Sequence, residues 1–204
     1  MNVLGLVQLC EVAHPLGGYS HSLGIDALAK GGGIRSPEQL CVVVNEALHS
    51  AVGPLDGIAS GIAFRASRQG DFGAIGPVCE ALSSQRMLPD MRIASVQMGQ
   101  RLWALSRRWE WAGVVHEQLD EFAARRELHH AVAFGVLVAE TTSNQVRAIA
   151  TDLFNIARGL IETAVRVVPL PEVEGQRVLA TVQPTIAELA TRYVDKHPAD
   201  ILRP

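Results

Sequence analysis

Residues 149–169, IATDLFNIARGLIETAVRVVP, show the pattern that decides the fold class of this chain. Apolar side chains recur there every three or four residues, at Ile149, Leu153, Ile156, Leu160, Ala164 and Val167. That spacing places them on one face of an α-helix. Pro169 follows the last of them and cannot continue a helix, because its ring clashes with the preceding turn. The stretch therefore predicts a long amphipathic helix that ends before Pro169.

The same period predicts a second long helix that begins near Pro89. Its apolar face consists of Met91, Ser95, Met98, Leu102, Leu105 and Trp109. Earlier in the chain, Ser36-Pro37-Glu38-Gln39 is typical of a helix start. Ser36 can cap the helix, Pro37 fits the first helical position, and Gln39 can complete a capping box. We expect this third helix to end at Gly53-Pro54.

The rest of the chain is also helical in pattern. Further helices are predicted over residues 58–70, 72–82, 111–122 and 178–193. Pro184 is expected to divide or kink the last of these, and Gly31-Gly32-Gly33 to cap and follow an early helix. Strand signals are scarce, because the β-branched run Val165–Val168 continues a helical face. We therefore predict a single all-α domain, a bundle of roughly eight to ten helices.

The length and composition fit this interpretation. A chain of 204 residues suits one domain and can bury roughly 70% of its unfolded surface without a disulfide or metal. We treat residues 1–204 as that domain, with 1–14 as an N-terminal segment and 194–204 as a short C-terminal tail. The 48% hydrophobic content and mean hydropathy of +0.17 exclude disorder. They favour either a large core or a surface buried by a partner.

Several functional classes are disfavoured by charge and patterning. The net charge of −3 lacks the basic excess of a nucleic-acid binder, and Arg107-Arg108 are expected to be solvated beside core tryptophans. The apolar stretch Ala131–Ala139 is far shorter than the about 20 residues that cross a bilayer, and the N-terminus does not resemble a signal peptide. The odd count of cysteines (Cys10, Cys41 and Cys79) contains no CxxC pair and indicates a reducing, cytoplasmic setting.

The most unusual stretch is Pro15–Gly24, PLGGYSHSLG. Its proline and glycines predict a turn, and Ser20 or Ser22 can cap the helix that follows. Ser20 beside His21 suggests a hydrolase, but the nucleophile-elbow motif Gly-x-Ser-x-Gly is absent because position 22 is serine. A loop that only enters a helix and a functional loop remain equally good interpretations of the residues themselves.

Metal binding has only weak candidates in the sequence. Cys10 and His14 are four residues apart and His21 lies seven further on, which matches no closed zinc pattern. Cysteine and histidine nevertheless suit late first-row metals, so a transient contact at these three residues stays open. His129 and His130 are neighbours that point about 100° apart on a helix, so they do not chelate together.

Four motifs, in order, resemble the urease accessory protein UreF family. The first is Pro15–Gly24, and the second is Arg92–Leu102, which resembles the family's Arg…Ser-x-Gln-x-Gly helix. His130–Gly135 and Ala164–Leu170, followed by Gly175-Gln176, resemble the third and fourth. Departures include Tyr19 in place of the usual phenylalanine. The likeness extends from about Leu9 to about Leu189.

The resemblance implies an all-α adaptor that is not an enzyme and forms a homodimer. It implies that the chain binds the accessory protein UreD, also called UreH, recruits the GTPase UreG to urease apoprotein, and assists nickel insertion. No cofactor is expected to be held permanently, and nickel would be handled by the complex. Motif matching gives the candidate partner-binding residues Gly17, Gly18, Tyr19, Ser20, His21, Arg92, Gln97, Arg166 and Gln176. The alternatives are an all-α regulator that binds a small ligand and a serine hydrolase that uses Ser20 and His21.

Overall fold

The computed structural model describes residues 2–11, 24–86, 88–125, 127–168 and 170–201. These residues form α-helices joined by turns, by short 3-10 segments and by one π-helical segment, and no strand occurs among them. The helices, in chain order, are α1 Val3–Leu9, α2 Ile25–Lys30, α3 Pro37–Ala47, α4 Ile58–Gln69, α5 Ile75–Gln85, α6 Pro89–Ser106, α7 Gly113–Arg125, α8 His130–Val138, α9 Gln145–Val167, α10 Glu172–Arg192 and α11 Pro198–Ile201. The predicted all-α bundle is confirmed.

The two long helices predicted from their periods are α9 and α6. In α9, Asn144 caps the first turn by accepting from the Arg147 amide at 2.9 Å, and Ile149 and Leu153 are fully buried. The helix ends at Val167, as predicted from Pro169, which itself lies outside the described residues. In α6, Leu102 is buried on the predicted face.

The start of α3 confirms the predicted cap and corrects the capping box. Ser36 Oγ accepts from the Gln39 amide at 3.3 Å, and Pro37 occupies the first helical position. The Gln39 side chain accepts from the amide of Arg35 at 2.8 Å, rather than from that of Ser36. The box is therefore closed one residue earlier than the usual motif.

The predicted end of α3 at Gly53-Pro54 is wrong. The chain continues as a π-helical segment, Leu48–Gly57, directly into α4, so α3 and α4 form one continuous helical run. The wider π turn accommodates Pro54, whose ring would clash with the carbonyl of a tighter α turn. Gly53 allows the Tyr193 ring to pack closely against the π-helical segment, because a Cβ at position 53 would lie 2.9 Å from that ring. Pro184 likewise lies inside a continuous α10, so the expected division of that helix is also wrong.

The core is organised around α8, in which every residue from Ala131 to Val138 is buried. Helices α4, α6 and α9 all pack against it. The approach to α4 is close, because a Cβ on Gly135 would lie 2.4 Å from the Ser60 carbonyl oxygen. The apolar stretch that is too short to cross a bilayer is thus the central helix. Among the described residues, no helix is long and apolar enough to span a membrane.

The last described residues pack onto the bundle. The guanidinium of Arg65 donates to the carbonyls of Val194 and Lys196, and Ile201 in α11 is buried. Gln145 Nε2 adds bonds to the carbonyls of Gly61 and Val194 at 3.1 and 2.7 Å. The start of the segment predicted as a tail therefore closes the end of α10 onto α4 and α9.

Candidate functional site

The five candidates in the first motif, and the possible metal ligand in front of it, lie outside the described residues: Gly17, Gly18, Tyr19, Ser20, His21 and His14. The structure describes Cys10, which precedes this motif, and Gly24, which is its last residue. The carbonyl of Cys10 accepts from Arg158 Nη2 of α9 at 2.9 Å. Gly24, with a φ of +82°, begins α2, and α2 packs against α9. Cys10 and α2 are therefore both attached to α9.

The other four candidates lie on two pairs of helices. Arg92 is half-buried and Gln97 is exposed on α6, which packs against α8. Arg166 lies in the last turn of α9 and Gln176 near the start of α10, and both are exposed. Helices α9 and α10 pack together, which brings Arg166 and Gln176 to the same end of that pair.

A buried charged cluster, formed by Asp56, Arg86 and Asp152, was missed by the sequence reasoning. Arg86 Nη2 lies 2.5 Å from Asp56 Oδ1, with side-chain exposures of 6% and 12%. Asp152 of α9 is 0% exposed, and neither of its carboxylate oxygens has a hydrogen-bond partner. The Nε of Arg86 is also buried without a partner. Two carboxyl groups and one guanidinium thus share the interior.

The environment of Asp152 favours its neutral form. Burial raises the pKa of its carboxyl well above the usual range, and the neighbouring charge of Asp56 raises it further. The hydroxyl of Ser60 and the charge of Arg86 act in the opposite direction but do not outweigh burial. The Ser60 hydroxyl itself donates to the Gly57 carbonyl at 3.3 Å.

His129 links three helices through its two ring nitrogens. Nε2 lies 2.9 Å from Ser83 Oγ and Nδ1 lies 3.0 Å from Ser95 Oγ. Ser83 Oγ donates to Glu127 at 2.9 Å, so we assign the ring proton to Nε2 and let Nδ1 accept from Ser95. Burial, with Arg86 and Arg92 nearby, lowers the pKa of His129 to about 3. The imidazole is a neutral structural link whose nitrogens are both occupied.

A Ser–His–Asp sequence of contacts joins α6 to α7. Ser106 Oγ lies 3.0 Å from His116 Nε2, and His116 Nδ1 lies 3.2 Å from Asp120 Oδ1. This order of contacts is that of a hydrolase triad. However, Ser106 is 0% exposed and its hydroxyl donates to the Trp103 carbonyl at 2.9 Å. A nucleophile must reach its substrate, so this set stabilises the corner between the two helices.

Of the three possible metal ligands, Cys10 lies in the part of the chain that is described, whereas His14 and His21 lie outside it. Within it, no group of three or more His, Cys, Asp or Glu side chains is placed to hold a metal ion. Burial raises the pKa of the Cys10 thiol, with opposing effects from Asn155 and Arg158, so the thiolate that would bind a metal is disfavoured. Cys10, Cys41 and Cys79 are free thiols.

Comparison with known proteins assigns the family. The model of the UreF family matches residues 34–183 of this chain. The chain belongs to the UreF family. It is 23% identical over 201 residues to the urease accessory protein UreF of Bacillus sp. strain TB-90, covering 98% of this chain and 88% of that protein.

Two further UreF proteins have similar levels of identity. The urease accessory protein UreF of Geobacillus kaustophilus is 27% identical over 196 residues, which cover 93% of this chain and 83% of that protein. That of Nostoc sp. strain PCC 7120 is 28% identical over 186 residues, covering 90% and 79%. The resemblance seen in the four sequence motifs is confirmed. The similarity to these relatives extends over at least 90% of this chain.

The buried cluster had one signal in the sequence. Asp152 lies three residues after Ile149 and four before Ile156, which places a carboxylate on the apolar face of α9. A carboxylate on a buried face is rare and requires a partner or a proton. Nothing in the sequence indicates that Asp56 and Arg86 would join it, because they are far from Asp152 along the chain.

Proposed function

We propose that this protein is a urease accessory protein that acts as an adaptor. With UreD, also called UreH, it would recruit the GTPase UreG to urease apoprotein and assist the insertion of nickel into the active site. The observation that carries the proposal is its membership of the UreF family over residues 34–183. Relatives at 23–28% identity bear the name urease accessory protein UreF.

The adaptor would catalyse no reaction of its own. The contacts that resemble a hydrolase triad are centred on Ser106, and a second set of contacts is centred on His129; both side chains are fully buried. Their hydrogen bonds join helices, which is a structural role. Nickel would be the cargo of the assembled complex, and no cofactor would stay bound to this chain.

The exposed candidates offer two surfaces to partners. Gln97 lies on the outside of α6, and Arg166 with Gln176 lies at one end of the α9–α10 pair. An arginine provides a planar set of donors that suits carboxylates of a partner. Two surfaces on different helix pairs would allow two proteins to bind at once, as an adaptor requires.

A homodimer would use the apolar surface of α1. This helix, VLGLVQL, carries no charged residue, and it exposes Leu4 (81%), Val7 and Val3. In a twofold interface the same patch meets itself, so an uncharged patch avoids repulsion between like charges. The change Leu4→Glu should convert the dimer to a monomer in light scattering, whereas Val173→Glu, an exposed apolar residue of α10, should not. A Leu4→Glu protein of unchanged mass would exclude α1 as the interface.

The function is tested in cells that make urease together with a complete accessory set. Omitting this chain should leave urease without nickel. Within the set, Arg166→Ala should reduce co-purification of UreD or UreG and lower the nickel content of urease, with melting unchanged. Arg177→Ala removes another exposed arginine, which pairs locally with Glu174 at 3.0 Å, and serves as the matched control. Urease that is fully loaded without this chain would refute the proposal.

The first motif needs its own variant. His21→Ala is expected to reduce nickel loading and GTPase co-purification while melting is unchanged. A lowered melting temperature would instead assign His21 to the core. If nickel loading, GTPase co-purification and melting temperature are all unchanged, His21 and its motif have no role in urease maturation.

A further inference from the structure

The π-helical segment Leu48–Gly57 and α9 meet at a contact that has two unusual features. Gly57 is close to α9, since a Cβ there would lie 3.2 Å from Leu153 Cδ2. The residues just before these two are Asp56 and Asp152, so two carboxyl groups enter the interior at the same contact. A long π-helical run is itself rare, and such segments occur often at functional sites.

Among the described residues, Arg86 is the one positive side chain that acts on this pair. Arg86 bonds to Asp56 through Nη2, and its Nε keeps a proton with no acceptor. Asp152 has two oxygens with no partner at all, although it is fully buried. If both carboxyl groups were ionised, the cluster would hold a net negative charge away from water, which is strongly unfavourable.

Within the part of the chain that the structure describes, the helices around Asp152 supply no second cation to balance it. Ser60 of α4 is neutral, and desolvation lowers the pKa of His130 of α8 to about 4, so that ring is neutral too. The Cys10 thiol follows α1, and burial raises its pKa, so it is neutral too. The charge of Asp152 has the smallest effect on that pKa. Tyr193, after α10, contacts Gly53 and Gly57, and burial raises the pKa of its phenol, which therefore carries no charge either.

We infer that the contact between the π-helical segment and α9 is proton-dependent: it holds while Asp152 is protonated and opens locally when Asp152 ionises. In the closed contact, Asp56 and Arg86 form the ion pair and Asp152 keeps its proton. Opening admits water to Asp152, which then releases the proton. Because opening releases one proton, a higher pH favours the open form.

The consequence extends along α9 toward the first motif. Arg158 lies six residues after Asp152 on the same helix, and it holds the Cys10 carbonyl just before that motif begins. Loosening of the contact at Asp152 therefore acts on the helix that binds the Cys10 carbonyl and packs against α2. The inference does not depend on the proposed role in urease maturation, and it concerns the isolated chain.

Hydrogen–deuterium exchange of the full chain tests this inference between pH 5 and pH 8. After correction for the intrinsic pH dependence of exchange, protection of amides 48–57 should fall about tenfold per pH unit until the pH reaches the raised pKa of Asp152. Asp152→Asn, a neutral side chain of the same shape, should abolish that dependence. Asp71→Asn is the matched control, because Asp71 is an exposed aspartate that caps a surface turn. It should behave like the original chain.

Two results would overturn the inference. One is the same corrected pH dependence in the original chain and in Asp152→Asn. The other comes from a carbon-13 NMR titration of the original chain, which does not depend on any variant folding. We expect the Asp152 carboxyl to titrate well above the usual range of an aspartate, and a carboxyl that titrates within that range would exclude the proton-dependent contact.

Discussion

Gly99, in the middle of α6, sets the distance between this helix and the chain that enters α8. A Cβ at position 99 would lie 2.1 Å from the Leu128 carbonyl oxygen, 2.6 Å from the His129 carbonyl carbon and 2.8 Å from the His130 nitrogen. All three are backbone atoms, so no side-chain rotation can relieve the overlap. Gly99→Ala must therefore move α6 by about 0.9 Å to bring the shortest contact to 3.0 Å.

The expected cost follows from two opposing effects. Overpacking of a tight interior costs about 1–3 kcal/mol, whereas alanine in place of glycine favours a helix by about 1 kcal/mol. We expect Gly99→Ala to lower the free energy of unfolding by about 1–2 kcal/mol, since the clash is with backbone. For a chain of this size that corresponds to a melting temperature lower by about 2–8 °C.

Gly159 provides the matched control for this prediction. It lies on the exposed side of α9, and a Cβ there would meet nothing within 4 Å. Gly159→Ala should therefore stabilise the chain by up to about 1 kcal/mol. Urea unfolding followed by circular dichroism at 222 nm measures both variants. If Gly99→Ala is as stable as Gly159→Ala, the close approach of α6 to α8 is not what the structure indicates.

Three further predictions concern the buried polar groups. Asp56→Asn should lower the free energy of unfolding by about 3–5 kcal/mol, because it leaves Arg86 buried without its counter-ion. The double variant Asp56→Leu/Arg86→Met should recover most of that loss in urea unfolding. If the two variants are equally unstable, the ion-pair explanation is contradicted. His129 has a pKa in the folded state below that in the unfolded state, so its stabilising effect is complete above about pH 6.5 and is lost as the pH falls toward about 3. Unfolding midpoints from pH 7 to pH 4 should show a smaller decline in His129→Asn, and an unchanged decline would assign the pH dependence to other groups. Ser106→Ala should lower the free energy of unfolding by about 1–3 kcal/mol. A fluorophosphonate probe should label neither the original chain nor this variant. Labelling of the original chain that is lost in Ser106→Ala would restore the hydrolase interpretation.

The local signals in the sequence predicted helix positions well. The cap at Ser36, the faces of α6 and α9, and the left-handed glycine that ends α4 at Gly70 each depend on residues within one or two turns. The helix end predicted at Pro54 and the division considered at Pro184 do not occur, and both differences have one cause. A proline ends a helix when nothing else opposes it, but here packing against neighbouring helices holds the chain in a helical path.

The functional candidates remain predictions, because motif matching does not give the surroundings of a residue. The four motifs identified the family, and the structure places Gln97, Arg166 and Gln176 on the surface, where a partner can reach them. Arg166 lies at the end of α9 and is exposed, whereas Arg92 on α6 is half-buried. Motif matching reports which residues are shared, but exposure depends on the helices that surround them.

The sequence by itself determined the all-α class, the buried face of each long helix and the family, because each follows from residue types at short, regular spacings. Only the tertiary structure decided that Asp56, Arg86 and Asp152 share one buried cluster, that Leu48–Gly57 is π-helical, and that Gly99 must lack a side chain. These features depend on contacts between helices that are distant in the chain. A helical period specifies which face turns inward, but it does not specify what that face meets.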